Sequence, residues 1–384
     1  MSLPFETPDI AELRARGGMK WAAFPEAIGA FVAEMDFGLA PAIRRTLHEQ
    51  VDLARTGYLP RAASDALADA TVAWCADRFD WAIRPDRVKP VADVLAGLDL
   101  VLRRYSDPTR PVIVSTPAYM PFLKIPELMG RPIIEVPSIA VDGRSELDLA
   151  GVAAAFAAGA DTFVLCNPWN PVGRVLTREE LVALSEVVDG FGGRVFADEI
   201  HAPLVFGQHR HIPYASVNAV AANHTITAVS ASKAFNLPGL KCAQLILSND
   251  ADAERYGSVA GLASHGASGL GVAATTAAYR ESGEWLDAVR GYLDVSRRRL
   301  GLLLDERLPQ VGYRMPEGSY IGWLDLRALD LGELPADVIL ERAGVALTDG
   351  AACGEAGRGF ARIILATPQP VLDEIVDRLA RAFG

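Results

Sequence analysis

At 384 residues, half of them hydrophobic, the chain is long enough to form two domains around a large buried core. Its net charge of −11 argues against a polyanion partner, because nucleic-acid binders need a clustered basic surface. No apolar run approaches the roughly 20 residues needed to cross a bilayer, and Met1 to Ile10 lacks the basic start and apolar stretch of a signal peptide, so a cytoplasmic location without membrane contact is expected.

In chain order, a short charged helix is expected around 10–16, then a Gly17-Gly18 break, Lys20-Trp21, and a segment over 31–37 whose alternation is only partly strand-like. Pro41 suits a first helical turn and predicts a helix over 41–55, closed by Gly57-Tyr58. A second helix over 64–78 carries a core-facing stripe of Leu67, Ala70, Trp74 and Phe79.

From Arg87 onward, short apolar strands alternate with helices, the pattern of a mainly parallel sheet covered on both faces. The run from Val88 reads as a strand passing into a helix near Ala92. A helix N-terminus there would present the amides of Ala92 and Asp93 to a phosphate. A strand and loop lead to Tyr119, and another strand runs from Phe163 to Asn167, where two Asn-Pro steps also make good turns in their own right. Thr177-Arg-Glu-Glu180 is a capping box opening a helix to about Val188. Arg194 to His201 is the next strand and places Asp198 and Glu199 at its end.

The β-branched run Thr225 to Val229 then delivers Ser230-Ala-Ser-Lys233 to a loop, the usual place for chemistry. A lysine beside two small hydroxyls, with Lys241 eight residues on, is what a Schiff-base site for a phosphorylated aldehyde needs. The plain alternative is a solvated loop with two ordinary lysines. Small residues over 261–271 suit close backbone packing. A helix over 284–306 leads into strands around Ser319 and Ala361, the latter carrying Arg362. Cys75, Cys166, Cys242 and Cys353 are scattered without a metal-like Cys-x-x-Cys pair, so reduced thiols are expected rather than a disulfide or zinc role.

Taken together, Phe31-Val-Ala-Glu-Met-Asp-Phe37, Ser115-Thr-Pro-Ala-Tyr-Met-Pro-Phe122, Asn167-Pro-Trp-Asn-Pro-Val-Gly173, Asp198-Glu-Ile-His201 and Lys233-Ala-Phe-Asn-Leu-Pro-Gly-Leu240 resemble pyridoxal-phosphate enzymes of the aspartate aminotransferase fold. Within them the chain looks like the cystathionine β-lyase branch related to MalY and PatB. The resemblance implies an α/β fold: a large domain over 46–284 with a mainly parallel sheet, a smaller α+β domain over 285–384, and an N-terminal arm over 1–45 belonging to the latter. It implies pyridoxal 5′-phosphate on Lys233, Asp198 against the pyridine nitrogen, Tyr119 stacked on the ring, and Asn167 on the cofactor oxygen and substrate carboxylate. His201 would face the cofactor. Ala92, Asp93, Ser230, Ser232 and Lys241 would surround the phosphate. Arg362 would hold the amino-acid carboxylate; without the resemblance it reads as an exposed edge-strand arginine.

The family is homodimeric, and Tyr58 matches the residue that reaches the neighbour's phosphate. The implied reaction is β-elimination from L-cystathionine or related S-substituted cysteines, giving a thiol, pyruvate and ammonia. An aminotransferase uses the same residues and is not separated from the lyase by spacing. A regulatory binding protein on the same fold is the third reading. The chain departs from the branch at Val91, where glycine is usual, at Phe31, where tryptophan is usual, and at Pro203.

Overall fold

The computed structural model describes residues 5–384; the first four residues of the expected N-terminal arm, and of the Met1 to Ile10 stretch, lie outside the described residues. Seven strands form the large sheet in the order Val88–Val91, Ala243–Leu247, Thr225–Val229, Arg194–Asp198, Thr162–Cys166, Val112–Thr116 and Ile133–Pro137. Ala243–Leu247 alone runs antiparallel to both its neighbours; the other pairings are parallel. Every residue of Val112–Thr116, Thr225–Val229 and Ala243–Leu247 is buried, which is why these strands show unbroken apolar or β-branched runs rather than alternation. Parallel pairing places Cys166 beside Asp198 and Asp198 beside Ala228, so the loops leaving these strands open on one edge of the sheet. That edge is where α/β sheets hold their ligands.

A second, antiparallel sheet takes the order Gly312–Tyr313, Ile321–Asp325, Phe360–Ile364, Thr348–Asp349, with helices Pro335–Ala343 and Gln369–Phe383 nearby in sequence. Helix Gly283–Arg307, 25 residues long, leads into it. The N-terminal arm joins this part of the chain: Ile28–Gly29 pairs in parallel with Val345–Ala346. Trp21, Ile28 and Phe37 share one apolar cluster with Ile321, Ile363 and Leu372, and also with Phe235, just after Lys233. Among the described residues, no helix is long and apolar enough to cross a membrane.

Several expectations shift on inspection. Residues 31–37 form no strand; they are irregular backbone held by side-chain bonds from Asn236, which accepts from the Met35 amide and donates to its carbonyl. The first long helices are Pro41–Asp52 and Arg61–Phe79. The capping box is present at Thr177 and Glu180, opening Arg178–Gly190. The small residues over 261–271 fall partly in the short helix Ala260–Ser264 and partly at the start of Gly269–Glu281. There a Cβ on Gly271 would sit 2.1 Å from the Leu240 carbonyl oxygen, so only glycine fits. The four cysteines are free, and all but Cys166 are fully buried.

Candidate active site

A cavity of about 540 Å³ opens at the carboxyl edge of the large sheet, a size suited to a cofactor and a small substrate. Lys233 reaches it from the turn after Thr225–Val229, and its Nζ donates to the Ala33 carbonyl at 2.8 Å. The Tyr320 hydroxyl donates to the same carbonyl at 3.0 Å. Burial lowers the Lys233 pKa to about 8, helped by the Arg362 charge and opposed by Glu34 and Asp198. About a tenth of the amine is therefore neutral at pH 7, far more than at an ordinary surface lysine.

Asp198 closes the Arg194–Asp198 strand and lines the same cavity. Burial raises its carboxyl to about 7; the Ile200 amide, 3.0 Å from Oδ1, and the Lys233 charge pull it down, and Glu199 pushes it up. Glu199, the competing carboxylate, is spent elsewhere: it accepts from the Tyr214 amide at 2.7 Å and lies 3.0 Å from His211 Nε2. Strand alternation explains this division, since successive side chains leave opposite faces. His201 lines the cavity with Nδ1 3.0 Å from Ser319 Oγ, and burial, aided by Lys233 and Arg362, lowers its pKa to about 3, so it is neutral at ordinary pH.

Arg362 sits in the middle of Phe360–Ile364 and is 3 % exposed. Its Nη2 donates to the Phe31 carbonyl at 2.9 Å and to Thr348 Oγ1 at 3.2 Å, its Nη1 to Asn170 Oδ1 at 3.3 Å, and its Nε has no partner. No carboxylate among the described residues pairs with it. A buried guanidinium with a vacant donor and no counter-charge is costly unless an anion completes it. The exposed edge-strand reading of this arginine is therefore wrong: Phe360–Ile364 is flanked on both sides by Ile321–Asp325 and Thr348–Asp349.

Ala92, Asp93, Ser230, Ser232 and Lys241 line one end of the cavity. The helix here is Val94–Arg104, with Asp93 as its N-cap rather than a start at Ala92; Asp93 accepts from the Ala96 amide at 2.8 Å and from Lys241 Nζ at 2.9 Å. Burial raises the Asp93 carboxyl, but Lys241 and that amide outweigh it and hold the group below its usual range. Ser230 donates its hydroxyl proton to the Cys242 carbonyl at 2.7 Å and lines the cavity together with Ser232. Tyr119 lines the cavity half-buried, with its ring edge-on to Phe122. Burial raises its pKa, opposed by Arg362, so the phenol stays protonated.

Two expected residues lie elsewhere. Asn167 does not line the cavity: it is fully buried, with Oδ1 accepting from the Leu176 amide at 3.0 Å. Asn170, three residues on in the second Asn-Pro step, takes that place and meets Arg362. The repeated Asn-Pro step marks both asparagines alike, and the loop path brings the second copy to the cavity. Tyr58 is 92 % exposed and outside the cavity of its own chain. Thr348, Tyr320 and the carbonyls of Phe31 and Ala33 join the site with no local sequence mark.

The sequence over residues 32–379 matches the family model of aminotransferase class I and II. The chain belongs to this family. Among its relatives, the family member described here is 34% identical to the cystathionine beta-lyase of Corynebacterium glutamicum, over 97% of this chain and 98% of that protein. It is 31% identical to the cystathionine beta-lyase PatB of Bacillus subtilis, over 94% of this chain and 93% of that one. A crystal structure of a candidate PLP-dependent beta-cystathionase from Corynebacterium diphtheriae superposes with a TM-score of 0.93 at 37% identity, covering 99% of both chains. These likenesses place this aminotransferase-family chain in the cystathionine β-lyase branch.

Proposed function

We propose that this chain is a pyridoxal-phosphate-dependent carbon–sulfur β-lyase that cleaves L-cystathionine or related S-substituted cysteines, with water, to a thiol, pyruvate and ammonia. The observation that carries the reading is the meeting in one cavity of Lys233, held partly neutral, Asp198, and the counter-charge-free Arg362. These residues fit the cofactor. Lys233 would hold it, Asp198 would face its ring nitrogen, Tyr119 its ring, and Ser232, Lys241 and the N-terminus of Val94–Arg104 its phosphate. The bound cofactor supplies an acceptor for the electrons released at the substrate Cα.

The chain's own groups do the rest. Arg362, which lines the cavity, takes the α-carboxylate, with Asn170 and Thr348 fixing the guanidinium plane. That grip orients the Cα hydrogen toward Lys233, whose neutral amine removes the proton. Asp198, its carboxyl raised to about 7, would be drawn to its carboxylate form by a positive charge on the ring nitrogen it faces. His201, neutral and tethered to Ser319, keeps a second positive charge away from Lys233.

The same reading includes a homodimer in which Tyr58, outside its own cavity, reaches the partner's phosphate site, a cytoplasmic setting, a place in methionine metabolism, and a division into an arm over 1–45, a cofactor domain over 46–284 and a small domain over 285–384. The test is to mix protein and L-cystathionine without a keto acid and follow thiol and pyruvate. Both products are expected together, and neither from Lys233→Ala. Product that appears only once a keto acid is added would make the chain an aminotransferase instead.

A further inference from the structure

We propose that Tyr320 is a positioning residue for this reaction: its hydroxyl shares the Ala33 carbonyl with Lys233 Nζ, loosens that carbonyl's hold on a charged amine, and so favours the neutral amine that takes the Cα proton. This rests on the lyase reading and adds a residue to it. Tyr320 does not line the cavity; it acts from behind the wall, through a backbone atom. Lys233 Nζ donates to the Ala33 oxygen at 2.8 Å and the Tyr320 hydroxyl at 3.0 Å, so both lone pairs of the carbonyl are engaged. Among the described residues, no other acceptor bonds Nζ. An ammonium bonds a carbonyl more strongly than an amine does, so the acceptor by itself favours charged lysine. A second donor on the same oxygen draws on its electron density and turns the positive end of an O–H dipole toward Nζ, which offsets that preference.

Both sides of the contact are held in place. Asn236 accepts from the Met35 amide at 2.9 Å and donates to its carbonyl at 2.8 Å, two residues beyond Ala33. Tyr320 is fully buried, its ring edge-on to His201 with centroids 6.0 Å apart. Ser319, just before it, sits at φ 69°, a left-handed conformation that a serine keeps only where its surroundings impose it. Here its amide donates to the Leu204 carbonyl at 2.7 Å and its hydroxyl meets His201 Nδ1. Burial pushes the Tyr320 phenol up, so it keeps its proton to donate. The charged and titratable groups facing Lys233 are Arg362 from Phe360–Ile364, Asp198 and His201 from Arg194–Asp198 and the loop after it, and Glu34 from the 31–37 segment. These groups, and whatever a partner subunit adds, stay the same when the Tyr320 hydroxyl alone is altered.

The test is the pH profile of Lys233 acetylation by acetic anhydride in the full chain freed of cofactor, read by peptide mass, beside kcat and KM for pyruvate release from L-cystathionine by the loaded enzyme. Tyr320→Phe, which removes only the hydroxyl, should move the labelling midpoint up by about half a pH unit. With the wild-type midpoint near 8, kcat at pH 7 should then fall about threefold and recover by pH 9, while KM stays within about twofold. Installing 3-fluorotyrosine in place of Tyr320 gives a more acidic phenol and a stronger donor, and should move the midpoint the other way. A midpoint left unmoved or lowered by Tyr320→Phe, or moved in one direction by both replacements, overturns the proposal. So does a change confined to KM or to unfolding. Wild-type protein that releases no pyruvate at any pH overturns the lyase reading instead, and the labelling midpoint, which needs no turnover, still decides the role of Tyr320.

Discussion

Replacing Lys20 with methionine removes one half of a buried ion pair. Lys20 Nζ lies 2.6 Å from Asp36 Oδ2, with the two side chains 2 % and 4 % exposed. The other Asp36 oxygen accepts from Trp21 Nε1 at 2.8 Å, and the Asp36 amide donates to the Ala366 carbonyl at 2.9 Å. The pair thus pins the irregular arm segment against the chain just past Phe360–Ile364. In Lys20→Met the carboxylate is left in the interior with one indole donor, and about 3–5 kcal/mol should be lost, the usual cost of an orphaned buried charge. Removing both charges in Lys20→Met with Asp36→Leu spares that desolvation penalty and forfeits mainly the indole bond, about 1–2 kcal/mol. The double variant should therefore be more stable than Lys20→Met alone, with a coupling energy of about 2 kcal/mol or more. Urea unfolding in saturating pyridoxal phosphate, followed by tryptophan fluorescence, reads this directly; at a slope above about 3 kcal/mol/M for a chain of this size, the Lys20→Met midpoint should drop by about 1 M. Because the same segment carries the Phe31 and Ala33 carbonyls that hold Arg362 and Lys233, KM for the amino acid should rise in parallel. A Lys20→Met midpoint within about 0.2 M of wild type, or a double variant weaker than the single one, would refute the assignment of this pair as a paired buried charge.

Other expectations follow from the same geometry. With the Lys233 pKa lowered to about 8, labelling of its amine in cofactor-free protein should be slow at pH 6 and rise to a plateau above pH 9 as the proton leaves; a profile centred near the ordinary lysine value of about 10.4 would contradict the burial argument. Arg362→Gln removes a charge that disfavours Lys233 protonation, so that profile should move to higher pH, while kcat/KM falls by about 100-fold with the loss of roughly 3 kcal/mol of charge-assisted bonding. The two asparagines should separate cleanly. Asn170→Ala should impair kinetics with little change in unfolding, whereas Asn167→Ala, which strands the buried Leu176 amide, should cost about 1–3 kcal/mol of stability. Equal kinetic damage from both would undo the placement of Asn170 at the cavity.

The large sheet was legible because buried parallel strands write themselves as short apolar runs, and Thr225–Val229 and Val112–Thr116 lie where those runs fall. Asp198 was legible because it ends such a strand, and Lys233 because it stands in the loop leaving another. The helix begins at Val94 rather than near Ala92 because Asp93 caps it, accepting from the Ala96 amide. Asn167 was preferred to Asn170 because both stand in identical Asn-Pro steps, and which copy faces the cavity depends on the loop path. The Ser230 hydroxyl meets a backbone carbonyl twelve residues away, and neither end of that bond carries a local signal. Residues 31–37 offered partial alternation but form no strand, and Asn236 satisfies the backbone of Met35 while the Asp36 amide bonds the Ala366 carbonyl.

By itself the sequence determined the class of the fold, the order of its strands along the chain, and the lysine and aspartate at strand ends, since periodicity and strand-end position are local properties. The tertiary structure alone decided what those residues feel. It buried Lys233 and Asp198 in one cavity so that their proton affinities approach each other. It enclosed Arg362 between two neighbouring strands and left its Nε free. It also brought the Ala33 carbonyl across 200 residues of chain to hold Lys233. Desolvation and long-range contact depend on what surrounds a group in space, and no window of sequence contains that information.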